Sequence, residues 1–138
     1  MHPREPSANQ IVHRASGQKD RMRAMGPYAI ESLIEEDEEG EGTVYRVRIE
    51  PHQRTAVSYH RVAEEYYYIL SGRGTAVFNG REVRLAAGEF VRLPPGTTHS
   101  FATGEESLEM LNIHTPGCRP HRDTYFVGPD VPEGFSRG

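Results

Sequence analysis

The chain is 138 residues long, 36% hydrophobic and 26% charged, with a formal net charge of −4 at pH 7. That is enough chain for one soluble domain with its own core and too little for two. The small acidic balance excludes bulk attraction to nucleic acid, apolar runs of only a few residues exclude a bilayer-spanning helix, and a sole cysteine, Cys118, excludes an internal disulfide.

Residues 1–26 read as an arm. Arg4, Arg14, Lys19, Arg21 and Arg23 outnumber Glu5 and Asp20, and apolar residues are sparse, which suits a solvated or edge-pairing extension. Met1 to Pro6 lacks the charged-then-apolar layout of a secretory signal, so a cytoplasmic protein is expected. Tyr28 to Ile34 reads as a first strand. The acidic run from Glu35 to Gly42 is expected to stay on the surface as a connection.

Beyond it the strand signals are nearly unbroken. Val44 to Ile49 alternates, with Tyr45, Val47 and Ile49 on one face and Arg46 and Arg48 on the other. Thr55 to His60 puts Ala56, Ser58 and His60 together, and Glu65 to Leu70 does the same for Glu65, Tyr67 and Ile69. Gly72 and Gly74 are expected to end that strand, with Thr75 to Phe78 returning. Phe78-Asn79-Gly80-Arg81 predicts a type I′ hairpin, because Asn-Gly accepts positive φ at both central positions. Val83 to Leu85 and Phe90 to Leu93 follow, separated by a turn at Gly88. Pro94-Pro95-Gly96 fits a type II turn, with Pro fixing φ and Gly taking the left-handed position. His99 to Ala102 and Leu108 to Thr115 give two more strands, and Pro116-Gly117 closes the series. Residues 27–117 are therefore expected to form the barrel. Residues 118–138 form a tail, partly docked through Tyr125-Phe126-Val127. Eight or nine short strands with turns at this spacing predict an all-β, antiparallel sandwich or barrel.

On these strands the inward faces can bring His60, Glu65 and His99 to one point, and two imidazoles with a carboxylate suit a divalent first-row metal. Glu64 is the neighbouring alternative, but strand parity turns it the other way. The stretch from Arg54 to Thr103 resembles the two sequence motifs of the cupin superfamily. Ser58-Tyr59-His60, Glu65 and Gly72 follow the latter part of the first motif, G-x5-H-x-H-x3-4-E-x6-G. Gly88, Pro94, Gly96 and His99 follow the second, G-x5-P-x-G-x2-H-x3-N. The chain departs from the motifs at three positions: His52 for the leading glycine, Ser58 for the first histidine and Thr103 for the last asparagine. The resemblance implies a jelly-roll β-barrel holding one metal ion, Fe, Mn, Zn or Ni, through His60, Glu65 and His99. With Ser58 a neutral hydroxyl, two histidines and one carboxylate remain. That is the count of an open facial triad or of a catalytic zinc with a water position. A looser similarity to the cupin domain of type II phosphomannose isomerases runs through Met25-Gly26-Pro27-Tyr28 and the Tyr45–Ile49 strand. That domain carries glutamine where Ser58 stands, and the similarity points to sugar-like or sugar-phosphate-like ligands.

Around that centre, Ser58 is either lumen filler or a hydrogen-bonder to metal-bound water. His114, which shares a face with Asn112, either lies at the rim or serves as replacement ligand or general base. Tyr67 lies on the Glu65 face, where its hydroxyl can donate to a ligand, and Phe101 lies on the His99 face. Arg46, Arg48 and Arg54 are either a solvated face or a mouth for an acidic substrate. Cys118, in a turn-rich tail without a paired histidine, is not expected to be a nucleophile. The leading expectation is a small-molecule metalloenzyme of isomerase or oxygenase type, with His114 and Tyr67 catalytic. The rival is a non-catalytic barrel that captures a small ligand for sensing or storage. The small molecule is the expected partner; no nucleic-acid or membrane partner is expected, and the Tyr-rich strands and arm suggest a homodimer.

Overall fold

Alternation of β-branched and aromatic residues with polar ones commits most of this chain to strands, and a computed structural model describes them at residues 10–129, 131–132 and 134–135. The strands are β1 (Arg23–Met25), β2 (Tyr28–Ser32), β3 (Thr43–Ile49), β4 (Ser58–Tyr59), β5 (Glu64–Phe78), β6 (Arg81–Ala86), β7 (Phe90–Leu93), β8 (His99–Ala102), β9 (Leu108–Thr115) and β10 (Tyr125–Phe126). Two single 3-10 turns, Lys19–Arg21 and Glu36–Glu38, are the only helical elements among the described residues. Among the described residues no helix is long and apolar enough to cross a membrane.

All pairings are antiparallel. The path runs β1-β2-β3-β9-β5-β8-β4-β10, with β6 and β7 also paired to β5. The result is the expected jelly-roll barrel, and β5 is its shared stave. Its first half, Glu64 to Gly72, pairs with β9 and β7; its second half, Arg73 to Phe78, pairs with β6 and β8.

That single 15-residue strand corrects the expectation of two strands separated by a glycine turn. A register shift between Ile69 and Ser71 and the positive φ of Gly72 (+78°) bend β5 from one sheet into the other without reversing it. Gly72 also has a steric role, since a Cβ there would lie 1.8 Å from the Ser107 carbonyl oxygen. The Asn79-Gly80 hairpin forms as predicted, with φ of +51° and +79°. The strand expected over Thr55 to His60 shortens to β4.

The inward residues of β3, Tyr45, Val47 and Ile49, meet Tyr67 and Ile69 of β5, Leu108 and Met110 of β9, and Phe101 of β8 in one core. The chain flanking the barrel is tied down at both ends. On the arm, the Gly17 N–H donates to Glu31 (2.8 Å) and Arg14 pairs with Glu38. On the tail, β10 adds to β4 with Phe126 opposite Ser58. The acidic run does not lie wholly on the surface: Glu39 turns inward, 6% exposed, because Arg119 (3.0 Å) and Arg122 reach it from the tail.

Candidate metal centre

Four segments of the chain each aim one side chain able to bind a metal into the same end of the barrel. His60 follows β4, Glu65 is the second residue of β5, His99 opens β8 and His114 sits near the end of β9. The alternation that buries Tyr67 and Ile69 brings Glu65 inside (3% exposed), and the registers Ser58↔His99 and Glu65↔His114 align the rest. Glu65 is the hub. His60 Nε2 is 3.3 Å and His99 Nε2 3.5 Å from its Oε1, His114 Nε2 is 2.8 Å from its Oε2, and the Tyr67 hydroxyl donates to Oε1 at 3.0 Å.

The far sides of the rings fix their orientation. His60 Nδ1 lies 2.8 Å from the Asp123 carbonyl and His99 Nδ1 3.2 Å from the Thr97 carbonyl. With those N–H groups donating to backbone, both Nε2 atoms face the cavity, and in the neutral rings they offer the tautomer a metal requires. Asp123 (φ +60°) is itself held because its carboxylate accepts the N–H groups of Arg61 (2.8 Å), Val62 (3.1 Å) and Ala63 (2.9 Å). His114 Nδ1 is buried without a hydrogen-bond partner.

This donor set fits a metal. Ligand atoms of His60, Glu65 and His99 lie within 4.8 Å of one another, all buried. One carboxylate ringed by three imidazoles is a combination suited to Fe, Mn, Ni or Zn. Where the first motif has a histidine, Ser58 Oγ lies 3.3 Å from His99 Nε2, and His114 Nε2 approaches the other carboxylate oxygen of Glu65 from β9 at 2.8 Å.

In the metal-free site the charges settle on each other. Burial opposes ionising Glu65, yet the neighbouring His114 and His99 hold its carboxyl well below the usual range. Burial lowers His99, whereas His60 rises to about 11 and His114 to about 9, because Glu65 and Cys118 outweigh the burial of those two rings. Cys118 moves against its own burial to about 6 beside His114 and His60.

The structure brings Ser58, Tyr67, Phe101 and His114 to the cavity with the three expected ligands. It corrects the arginines. Arg46 and Arg48 point to the outer face of β3, where both pair with Glu109 of β9 (2.5 and 3.3 Å), since the inward positions of that strand are taken by Tyr45 and Val47. Arg54 is exposed on the surface. His114 is inside, 5% exposed, and not at the rim. From sequence a docked tail is expected, with Cys118 lacking a paired histidine and Asp123 given no role; the structure corrects both. Cys118 Sγ lies 3.4 Å from His60 Nδ1, and its carbonyl accepts the Thr43 and Tyr45 hydroxyls at 3.0 and 2.9 Å. The one sequence hint was the four-residue step from His114 to Cys118, short enough to fold back over the same barrel end.

A family model described as a cupin domain matches residues 45–114, half of the chain. The chain is 32% identical over 59 residues to quercetin 2,3-dioxygenase of Bacillus subtilis, a match covering 43% of this chain and 18% of that protein. It is 33% identical over 69 residues to an oxalate-binding protein of Thermotoga maritima, covering 49% of this chain and 57% of that one. Both matches span less than two thirds of the curated relatives. Among solved structures, a Streptomyces protein determined with uridine superposes with a TM-score of 0.68 over 84% of this chain and 92% of that one, at 19% identity.

Proposed function

The chain belongs to the cupin family, and from that premise we propose a metal-dependent enzyme acting on a small oxygen-bearing molecule. His60, Glu65 and His99 would hold one divalent transition metal, with His114 beside Glu65 as the residue that handles protons. The observation that carries this reading is the pair of backbone carbonyls, at Asp123 and Thr97, that turn the His60 and His99 Nε2 atoms toward Glu65. In neutral rings those two Nε2 lone pairs would face a carboxylate with no proton between them, an arrangement that a divalent cation relieves.

A bound metal supplies Lewis acidity, or as iron or manganese, redox chemistry with O2. The protein supplies the rest. His114 Nε2, 2.8 Å from Glu65, is the atom that takes or returns a substrate proton. Tyr67 holds Glu65 in one rotamer through its hydroxyl, and Ser58 leaves room beside His99 where a bulkier ligand residue would stand. Phe101 and Phe126 line the cavity with apolar surface that keeps bulk water away.

A second reading, capture of a small acid without turnover, is favoured by the similarity to the oxalate-binding protein, while the dioxygenase similarity favours oxidation. Elemental analysis of protein purified without a metal-affinity tag tests the proposal. About one equivalent of Fe, Mn, Ni or Zn is expected, lost in the His60→Ala, His99→Ala double variant. Wild-type protein that stays metal-free after incubation with each ion would sink it. Oxalate binding by metal-loaded protein without any product would favour capture.

A further inference from the structure

We infer that Asn112 reads the ligand: its buried Oδ1 accepts a hydrogen bond from an O–H or N–H group of the molecule held against the Glu65 cluster. This rests on the metal-dependent reading above and narrows its substrate class to small hydroxylated or aminated acids and carbonyl compounds.

The antiparallel registers of β3, β9 and β5 stack three rows of inward side chains. The first row is Thr43, His114 and Glu65; the second is Tyr45, Asn112 and Tyr67; the third is Val47, Met110 and Ile69. The third row is closed and apolar, each residue at most 3% exposed. The first row carries Glu65, the hub of the candidate metal centre, and His114 beside it. In the row between, both tyrosine hydroxyls are already engaged, Tyr45 donating to the Cys118 carbonyl at 2.9 Å and Tyr67 to Glu65 at 3.0 Å.

Asn112 differs. Its Oδ1 is buried without a hydrogen-bond partner, and the residue lines the cavity shared with Glu65 and the three histidines. A buried acceptor without a donor is destabilising, and protein interiors contain few of them. An apolar side chain of the same shape would suit the floor of this barrel better. A carbonyl oxygen only accepts, so the missing partner is a donor carried in by the ligand. The cavity is small, about 70 Å³, and suits a compact ligand. Its oxygen end would face the Glu65 cluster, its hydroxyl or amine would face Asn112, and its carbon skeleton would lie on Val47 and Phe101.

L-lactate and propionate share a skeleton and differ in the hydroxyl, so they serve as probes. Metal content is measured first, then each acid is titrated calorimetrically into metal-loaded wild type and Asn112→Leu. Wild type is expected to bind lactate about tenfold or more tighter than propionate, the scale of one buried hydrogen bond left unmade. In Asn112→Leu the ratio should fall to within about twofold while propionate affinity is kept. A preference arising from the metal alone would survive the substitution and overturn the inference. A wild-type ratio near one, or no binding of either acid to fully metallated protein, overturns it as well. Should leucine not be accommodated, Asn112→Ala repeats the titration. Protein that takes up no metal counts against the metal reading instead, and the melting temperature then decides. Asn112→Leu should melt at or above wild type, because an unpartnered oxygen has gone, and a lower melting temperature marks a structural asparagine and overturns the inference.

Discussion

Glu65 is a carboxylate that the barrel buries and three imidazoles keep ionised, and the consequence can be measured without any substrate. In chelator-treated protein, His60 rises from its ordinary 6.5 to about 11 and His114 to about 9. A histidine raised on folding contributes stability that is complete below its unfolded value and lost as pH rises through its folded value. Cys118 has the opposite sign. Lowered from 9.0 to about 6, it contributes fully above its unfolded value and loses that contribution as pH falls toward 6. Between about 6.5 and 9, therefore, Cys118 offsets His114 and the slope left over belongs to His60. Metal-free protein should lose stability as pH rises from 7 toward 10, read as a falling urea midpoint. A midpoint that stays level or climbs contradicts the assignment. Metal-loaded protein should not share the slope, since a ligating Nε2 carries no proton at any pH in that range.

At the scale of elements, β5 shows what glycines decide in this chain. Gly72 and Gly80 both take positive φ, +78° and +79°, so each tolerates substitution poorly on backbone grounds. They differ in space. A Cβ at Gly80 meets nothing within 4 Å, whereas one at Gly72 would overlap the Ser107 carbonyl in the loop before β9. Gly80→Ala should cost about 1 kcal/mol from strain alone, and Gly72→Ala clearly more, because β5 and the loop before β9 must separate. Equal losses in denaturant unfolding would mean that the bend at Gly72 is not held by that close approach. The hairpin at Asn79-Gly80 was legible because its requirement is local: two consecutive positive φ angles. The bend at Gly72 was not, since glycines at a strand end and glycines at a strand crossing look alike until the neighbouring strand is in position.

Across the whole molecule, the tail completes what the barrel begins, and a buried ion pair secures it. Arg119 (5% exposed) donates to Glu39 at 3.0 Å and to the Ile34 carbonyl at 2.9 Å, tying the start of the tail to the acidic connection before β3. Glu39→Ala would strand that guanidinium out of water, at about 3–5 kcal/mol. Glu38→Ala breaks the more accessible pair with Arg14 and the cap bond from the Glu35 N–H, and should cost less, about 1–2 kcal/mol. Comparable losses in the two variants would show that Glu39 does not anchor the tail. The sequence by itself determined the all-β class and most strand positions, because strand alternation and turn chemistry are written within a few residues of one another, and its resemblance to the two cupin motifs picked out the set His60, Glu65 and His99. It also offered Ser58, Tyr67, Phe101 and His114 as neighbours of that set. Only the tertiary structure decided that His114 stands inside, that Arg46 and Arg48 face Glu109 on the outer surface, and that Cys118 and Asp123 return from the tail to His60. Each of these depends on which strands become neighbours and which end of the barrel the tail covers, and those contacts join residues tens of positions apart that no local pattern connects.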